Sequence, residues 1–134
     1  RIDRYTAVDD FGTVINPAIV DGQVHGGVVQ GLGQVLMEDA TYDEDGQLLA
    51  GSFMDYAMPR ASDMPSFDVS EHPVPATTNI LGVKGVGEAG TSGALPSAMI
   101  AILDALAPLG VTDIPMPATA ERVWQAIRAA QQAP

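Results

Sequence analysis

Cysteine is absent from the 134 residues. This chain alone can therefore build no disulfide, cysteine nucleophile, thiolate zinc site or iron–sulfur cluster. Basic residues are scarce. Six Lys and Arg face 17 Asp and Glu, giving a net charge of −11 and a pI of about 4.1. Such a chain cannot neutralise the phosphates of a nucleic acid or dock electrostatically on an anionic membrane. No apolar run is read as reaching the roughly 18 residues of a membrane span, so no span is expected. No signal peptide is visible. The two histidines, His25 and His72, stand too far apart to show metal-ligand spacing, and no metal ligand is assigned. His25 lies near an apolar helical arc and is expected to pack in the core, whereas His72 should be solvated. Methionine is missing at position 1, where Arg1 reads as the edge of a strand, so a fragment or a cut subunit is one expectation.

What remains describes a packed domain. At 46% hydrophobic and 17% charged residues, the composition is too apolar for a disordered acidic tail. The length predicts a single domain over 1–134. Residues 4–8 alternate polar and apolar and predict a strand, followed by a turn at Asp9-Asp10-Phe11-Gly12. A helix is predicted from Pro17 to Met37, with Asn16 as N-cap. Val20, Val24, Val28, Leu32, Val35 and Leu36 form its apolar arc, and Gln23, Gly27, Gln30 and Gln34 lie opposite. The helix contains five glycines, at 22, 26, 27, 31 and 33. Each costs about 1 kcal/mol relative to alanine, so a close backbone or a ligand should offset them. Gly22, Gly26 and Gly33, flanking Gln23, are read as the border of a ligand cleft.

Further along, residues 40–49 predict a hairpin turning at Asp43-Glu44-Asp45-Gly46, and residues 51–66 an irregular stretch with Met54, Met58 and Met64. A strand is predicted over 66–74. A second helix is marked by Leu95, Met99, Ile102, Leu103 and Leu106, with Pro96 in its first turn and Gly110 as its stop. Thr119 should cap a last helix that turns Val123, Trp124 and Ile127 inward. The fold class expected is mixed α/β (α+β), with about three helices packed on a small mixed sheet.

Residues 82–93, GVKGVGEAGTSG, contain G-x-G-x-x-G at Gly85, Gly87 and Gly90. A dinucleotide-binding turn would need a good strand before it, and Thr77 to Gly82 is short and partly polar. Glu88 also sits where a pyrophosphate should lie. A carboxylate about 4 Å from a phosphate charge would cost about 4 kcal/mol at an effective dielectric of 20. A phosphate-binding P-loop fails as well, because Gly85 follows Lys84 where Ser or Thr is required. Two readings stay open on pattern alone: Glu88 caps the following helix, or it is a carboxylate on a glycine-walled loop that approaches a ligand.

Taken together, DDFGTVINPAIVDGQVHGGVVQGLGQVLMEDATYDEDGQLL and GVKGVGEAG resemble the molybdenum hydroxylases of the xanthine dehydrogenase, aldehyde oxidase and carbon monoxide dehydrogenase family. The resemblance is to the C-terminal part of the molybdopterin-binding large subunit and extends over nearly the whole chain. It implies that Glu88 is the catalytic glutamate beside molybdenum. In members that hydroxylate carbon, that residue takes a proton from a hydroxide on the metal. It implies cofactor binding by Gln23 and by the loop of Lys84, Gly85, Val86 and Gly87, which wraps the pterin and its phosphate. The implied cofactor is molybdopterin, as the cytosine dinucleotide in bacterial members, with none expected in the isolated chain. The implied partners are the remainder of the subunit and iron–sulfur and flavin subunits or domains, in a cytoplasmic enzyme acting on carbon monoxide, an aldehyde or an N-heterocycle. The competing expectation is a non-catalytic interaction module, or an inert fragment, that self-associates through the methionine-rich stretch. A fragment should expose a large apolar patch and tend to form homo-oligomers.

Overall fold

The structure, a computed structural model, describes residues 1–132. Contacts divide it into two compact units, one of residues 1–31 and 60–94, the other of residues 32–59 and 95 onward. Three α-helices and a two-stranded sheet give the mixed α/β class expected.

The first unit contains the sheet. Strand β1 (Tyr5–Asp9) pairs in parallel with β2 (Phe67–Glu71), Tyr5 opposite Phe67 and Asp9 opposite Glu71. The Tyr5 and Phe67 rings meet edge to face at 6.0 Å, a packing that fixes the register. Helix α1 (Pro17–Leu36) follows β1. Its start is set by Asn16, whose side-chain oxygen accepts the Ile19 N–H at 3.3 Å, with Pro17 needing no donor of its own. Val20, Val24 and Val28 are buried along one arc, as the 3.6-residue period predicts. Gly12 and Gly82 both hold a positive φ, at 63° and 67°. Thr13 and Ala76 donate to the Gly82 carbonyl, and an antiparallel bridge joins Gly12 to Val83. A Cβ on Gly12 would lie 2.2 Å from the Gly82 oxygen, so only glycine fits. His25 departs from expectation. It is exposed, its Nδ1–H donates to the Asp21 carbonyl at 2.7 Å, and its ring leans on Phe67 at 5.5 Å. One residue of rotation from Val24 is enough to leave the apolar arc. His72 is exposed as expected.

The second unit is built on Leu32 and Val35 of α1, both fully buried, and on a cluster of Val111, Ile114 and Ala118. Met99, Ile102, Leu103 and Leu106 of α2 and Val123, Ile127 and Ala130 of α3 pack against that cluster. Helix α3 (Ala120–Gln132) is capped by Thr119, whose hydroxyl accepts the Arg122 N–H at 3.3 Å. Arg122 in turn bonds the Pro117 carbonyl and pairs with Asp39 at 2.8 Å. Trp124 corrects the inward assignment. It is 59% exposed, with the Arg128 guanidinium 5.8 Å from its ring centre. The expected hairpin keeps its turn but only a single bridge, Tyr42 to Leu48, because Asp43 spends its carboxylate on the Asp45 and Gln47 N–H groups. Gly33 borders no cleft. Its Cβ position would meet Glu38 at 2.3 Å and Pro59 at 2.8 Å.

Helix α2 (Ala89–Leu106) differs most from expectation. It begins six residues before Leu95, which leaves Pro96 inside the helix rather than in its first turn. With the 3-10 turn that follows, Ala89–Leu109 is long and apolar enough, by length and composition, to cross a membrane. The sequence reading missed this run by starting the helix at Leu95. Only 11% of that window is buried. Gly90 packs against α1 in the first unit, and Met99 to Leu106, partly buried, pack against the Val111 cluster in the second.

Candidate functional site

Every candidate site residue falls in the first unit. Residues 83–88 join the Gly12–Val83 bridge to α2, with no strand leading in; among the described residues no parallel strand ends at Lys84. A dinucleotide-binding turn is thereby excluded. The three glycines of the motif have different causes. Gly90 is buried where α2 meets α1, its Cβ position 2.5 Å from the Val24 carbonyl oxygen and 2.9 Å from the Val28 nitrogen. Thr91 completes this contact, its hydroxyl donating to the Gly27 carbonyl at 3.0 Å. Gly90 and Gly27 are therefore required by helix-on-helix packing. At Gly85 and Gly87 a Cβ would meet nothing within 4 Å, and neither has the positive φ that demands glycine. Gly22 and Gly26 on α1 are equally open.

Gln23 and the loop meet. The Gln23 side-chain amide donates to the Gly87 carbonyl at 3.0 Å, across 64 positions of sequence. Gln23, Gly85, Gly87 and Glu88 are exposed, and Val86 is half-buried. The N–H groups of Gly85, Val86 and Gly87 donate to no described residue. Glu88 occupies the N-cap position of α2, its carbonyl accepting the Ser92 N–H at 2.9 Å. Its carboxylate, however, makes no hydrogen bond or ion pair with any described residue, so no side-chain cap forms. A mostly apolar cavity of about 230 Å³ opens beside the loop, lined by Phe11, Ile15, Ile19, Val83, Lys84 and Val86.

The Lys84 ammonium is already engaged. It pairs with the Asp10 carboxylate, each side chain about one-third exposed (34% and 35%). The other Asp10 oxygen accepts the N–H groups of Gly12 and Val74, both at 2.9 Å. The hydrogen-bonded Lys84 ammonium, then the two backbone donors, lower the Asp10 pKa from 3.8 to about 2. A depressed carboxyl pKa stabilises the fold above the unfolded value. That contribution is lost as pH falls from about 4 through 2. In acid unfolding followed by circular dichroism, the stability advantage of the wild type over Asp10→Asn should be complete above pH 5 and shrink towards zero near pH 2. Sequence reasoning missed Asp10 and Thr91. An aspartate two residues before a turn glycine is the pattern of a side chain closing on its own backbone, and that signal was present in Asp10-Phe11-Gly12.

Residues 1–65 match the molybdopterin cofactor-binding domain family. The carbon monoxide dehydrogenase large chain of Hydrogenophaga pseudoflava is 37% identical over 128 residues, which is 96% of this chain and 16% of that one. The chain belongs to the molybdenum hydroxylases. The nicotine 6-hydroxylase large subunit of Paenarthrobacter nicotinovorans is 40% identical over 128 residues, again 96% of this chain and 16% of that subunit. The crystal structure of the Cu,Mo-CO dehydrogenase superposes with a TM-score of 0.90 at 38% identity, with 96% of this chain and 16% of that one covered. The chain thus spans about 16% of the length of these molybdenum hydroxylase relatives, and corresponds to part of their large subunit.

Proposed function

We propose that this chain forms one wall of the molybdopterin cleft of a molybdenum hydroxylase and supplies Glu88 as the base beside the metal. The observation that carries the reading is the Gln23–Gly87 hydrogen bond, which makes the glutamine a neighbour of the glutamate loop. The open glycines support it. Gly22 and Gly26 together weaken α1 by about 2 kcal/mol relative to alanine, and among the described residues nothing fills the space they leave. A group lying against them would use it. The free N–H groups of Gly85, Val86 and Gly87 suit an anionic part of that group, and the Gln23 amide can orient a polar ring edge. These features fit a pterin with its phosphate, here as the cytosine dinucleotide.

When bound, the cofactor supplies two-electron oxidation at molybdenum. The chain's own part is to hold a proton acceptor there. The Glu88 carboxylate has no competing partner among the described residues and can accept a proton from a group placed against it. The substrate is carbon monoxide, an aldehyde or an N-heterocycle; relatives named for carbon monoxide and for nicotine are about equally similar. The partners are the rest of the large subunit and iron–sulfur and flavin components, in a cytoplasmic enzyme. A self-associating, non-catalytic module is the second reading, favoured by Phe53 and Met54, which are 81% and 92% exposed.

Elemental analysis of the chain isolated with whatever co-purifies tests the choice. About one molybdenum per chain, together with a larger partner, is expected. Chains that associate only with themselves and hold no molybdenum would favour the second reading.

A further inference from the structure

We propose that Asp10 and Lys84 form a buckle that sets the position of the Gly85–Glu88 loop, and that both are positioning residues for Glu88. The inference rests on the proposed role of that loop and names what holds it. The loop does little to hold itself. Gly85 and Gly87 touch nothing at their Cβ positions, and Glu88 has no side-chain partner among the described residues. On the α2 side it is anchored by Gly90 and Thr91 against α1. Within the loop the Gly87 carbonyl accepts from the Gln23 amide; on the β-strand side the anchors converge on residues 82–84. The Lys84 N–H donates to the Phe11 carbonyl at 3.0 Å, and the Lys84 ammonium reaches Asp10. Asp10 also binds Gly12 and Val74, so one carboxylate ties the end of β1, the chain leaving β2 and the root of the loop.

This changes what Lys84 is for. A lysine that met a cofactor phosphate would carry its charge towards the open face. Here that charge is matched by Asp10, and any phosphate would have to compete with the carboxylate for it. The lysine acts on the loop through its backbone and through the pair.

Amide hydrogen exchange on this chain tests the buckle without any cofactor. Asp10→Asn keeps a side-chain oxygen for Gly12 and Val74 but cannot pair the charge. Lys84→Met removes the other half, and Lys84→Arg restores the charge. Both Asp10→Asn and Lys84→Met should speed exchange at the hydrogen-bonded amides of Lys84 and Ala89 by about two- to fivefold, the scale of a partly exposed ion pair. Lys84→Arg should stay close to wild type, and α3 should be unchanged in all three. In the assembled enzyme the two charge-removing variants should lower molybdenum content alike. A fall in Lys84→Met but not in Asp10→Asn would overturn the proposal and give Lys84 a direct phosphate contact. Unaltered loop exchange in both variants, or equal loss in Lys84→Arg, would overturn it too. Turnover of a Glu88→Gln enzyme tests the Glu88 reading separately, since loop exchange does not depend on proton transfer.

Discussion

Replacing Glu88 by glutamine in the assembled enzyme is expected to lower kcat by about 10²–10⁴-fold, the usual contribution of a positioned general base. Molybdenum content should stay at the wild-type level. The two expectations separate because they depend on different atoms. In the proposed reading, cofactor retention rests on Gln23, on the N–H groups of Gly85, Val86 and Gly87, and on the open glycines. None of these involves the Glu88 carboxylate. Glutamine matches glutamate in size and leaves the backbone cap intact, so the Ser92 N–H keeps its acceptor. Without a side-chain partner to lose among the described residues, Glu88→Gln should shift the melting temperature by less than a surface ion pair would. A variant that retains molybdenum and loses turnover places the proton acceptor at Glu88. A variant that keeps full turnover removes Glu88 from the chemistry, and one that melts early and loses molybdenum would make its role structural.

The sequence announced its elements wherever local chemistry decided them. Helix α1 was legible because valines recur along one arc, and because Asn16-Pro17 suits an N-cap followed by a first helical position. Thr119 announced α3 in the same way. Strand β1 was found within one residue of its ends from period-2 alternation, and β2 within three. The start of α2 was illegible. Ala89-Gly90-Thr91-Ser92-Gly93 has poor helix propensity, and Pro96 argued for a start at Leu95. Contact of Gly90 and Thr91 with α1 overrides both, and that contact joins residues 64 apart in sequence. Trp124 and His25 failed for another reason. Each lies at the margin of an apolar arc, where 100° of helical rotation separates core from solvent. In the candidate site the glycine motif was visible but its division of labour was not. Pattern alone cannot tell Gly90, which has a helix against it, from Gly85 and Gly87, which have nothing.

That division predicts effects of opposite sign from one kind of substitution. Gly90→Ala should destabilise the chain by about 1–3 kcal/mol, the range for a group forced into a packed contact. In a melt this is a fall of roughly 3–5 °C per kcal/mol for a chain of this size. The clash is with backbone, the Val24 carbonyl oxygen at 2.5 Å and the Val28 nitrogen at 2.9 Å, so no side-chain rotation relieves it and the helices must move apart. Separation would also break the Thr91–Gly27 bond. The gain of up to about 1 kcal/mol from alanine's better helix propensity is too small to compensate. Gly22→Ala and Gly26→Ala place the same methyl group on α1 with nothing within 4 Å. There the propensity gain stands alone, and each variant should melt higher than wild type. In the assembled enzyme their sign should reverse at the level of function. A methyl group on the face occupied by the cofactor or by the rest of the subunit would lower molybdenum content even as it stabilises the isolated chain. Alanine at 22 and 26 raising the melting temperature with full molybdenum retained would mean that this face meets neither. The cost of two unfilled glycines in α1 would then have no counterpart in the cleft.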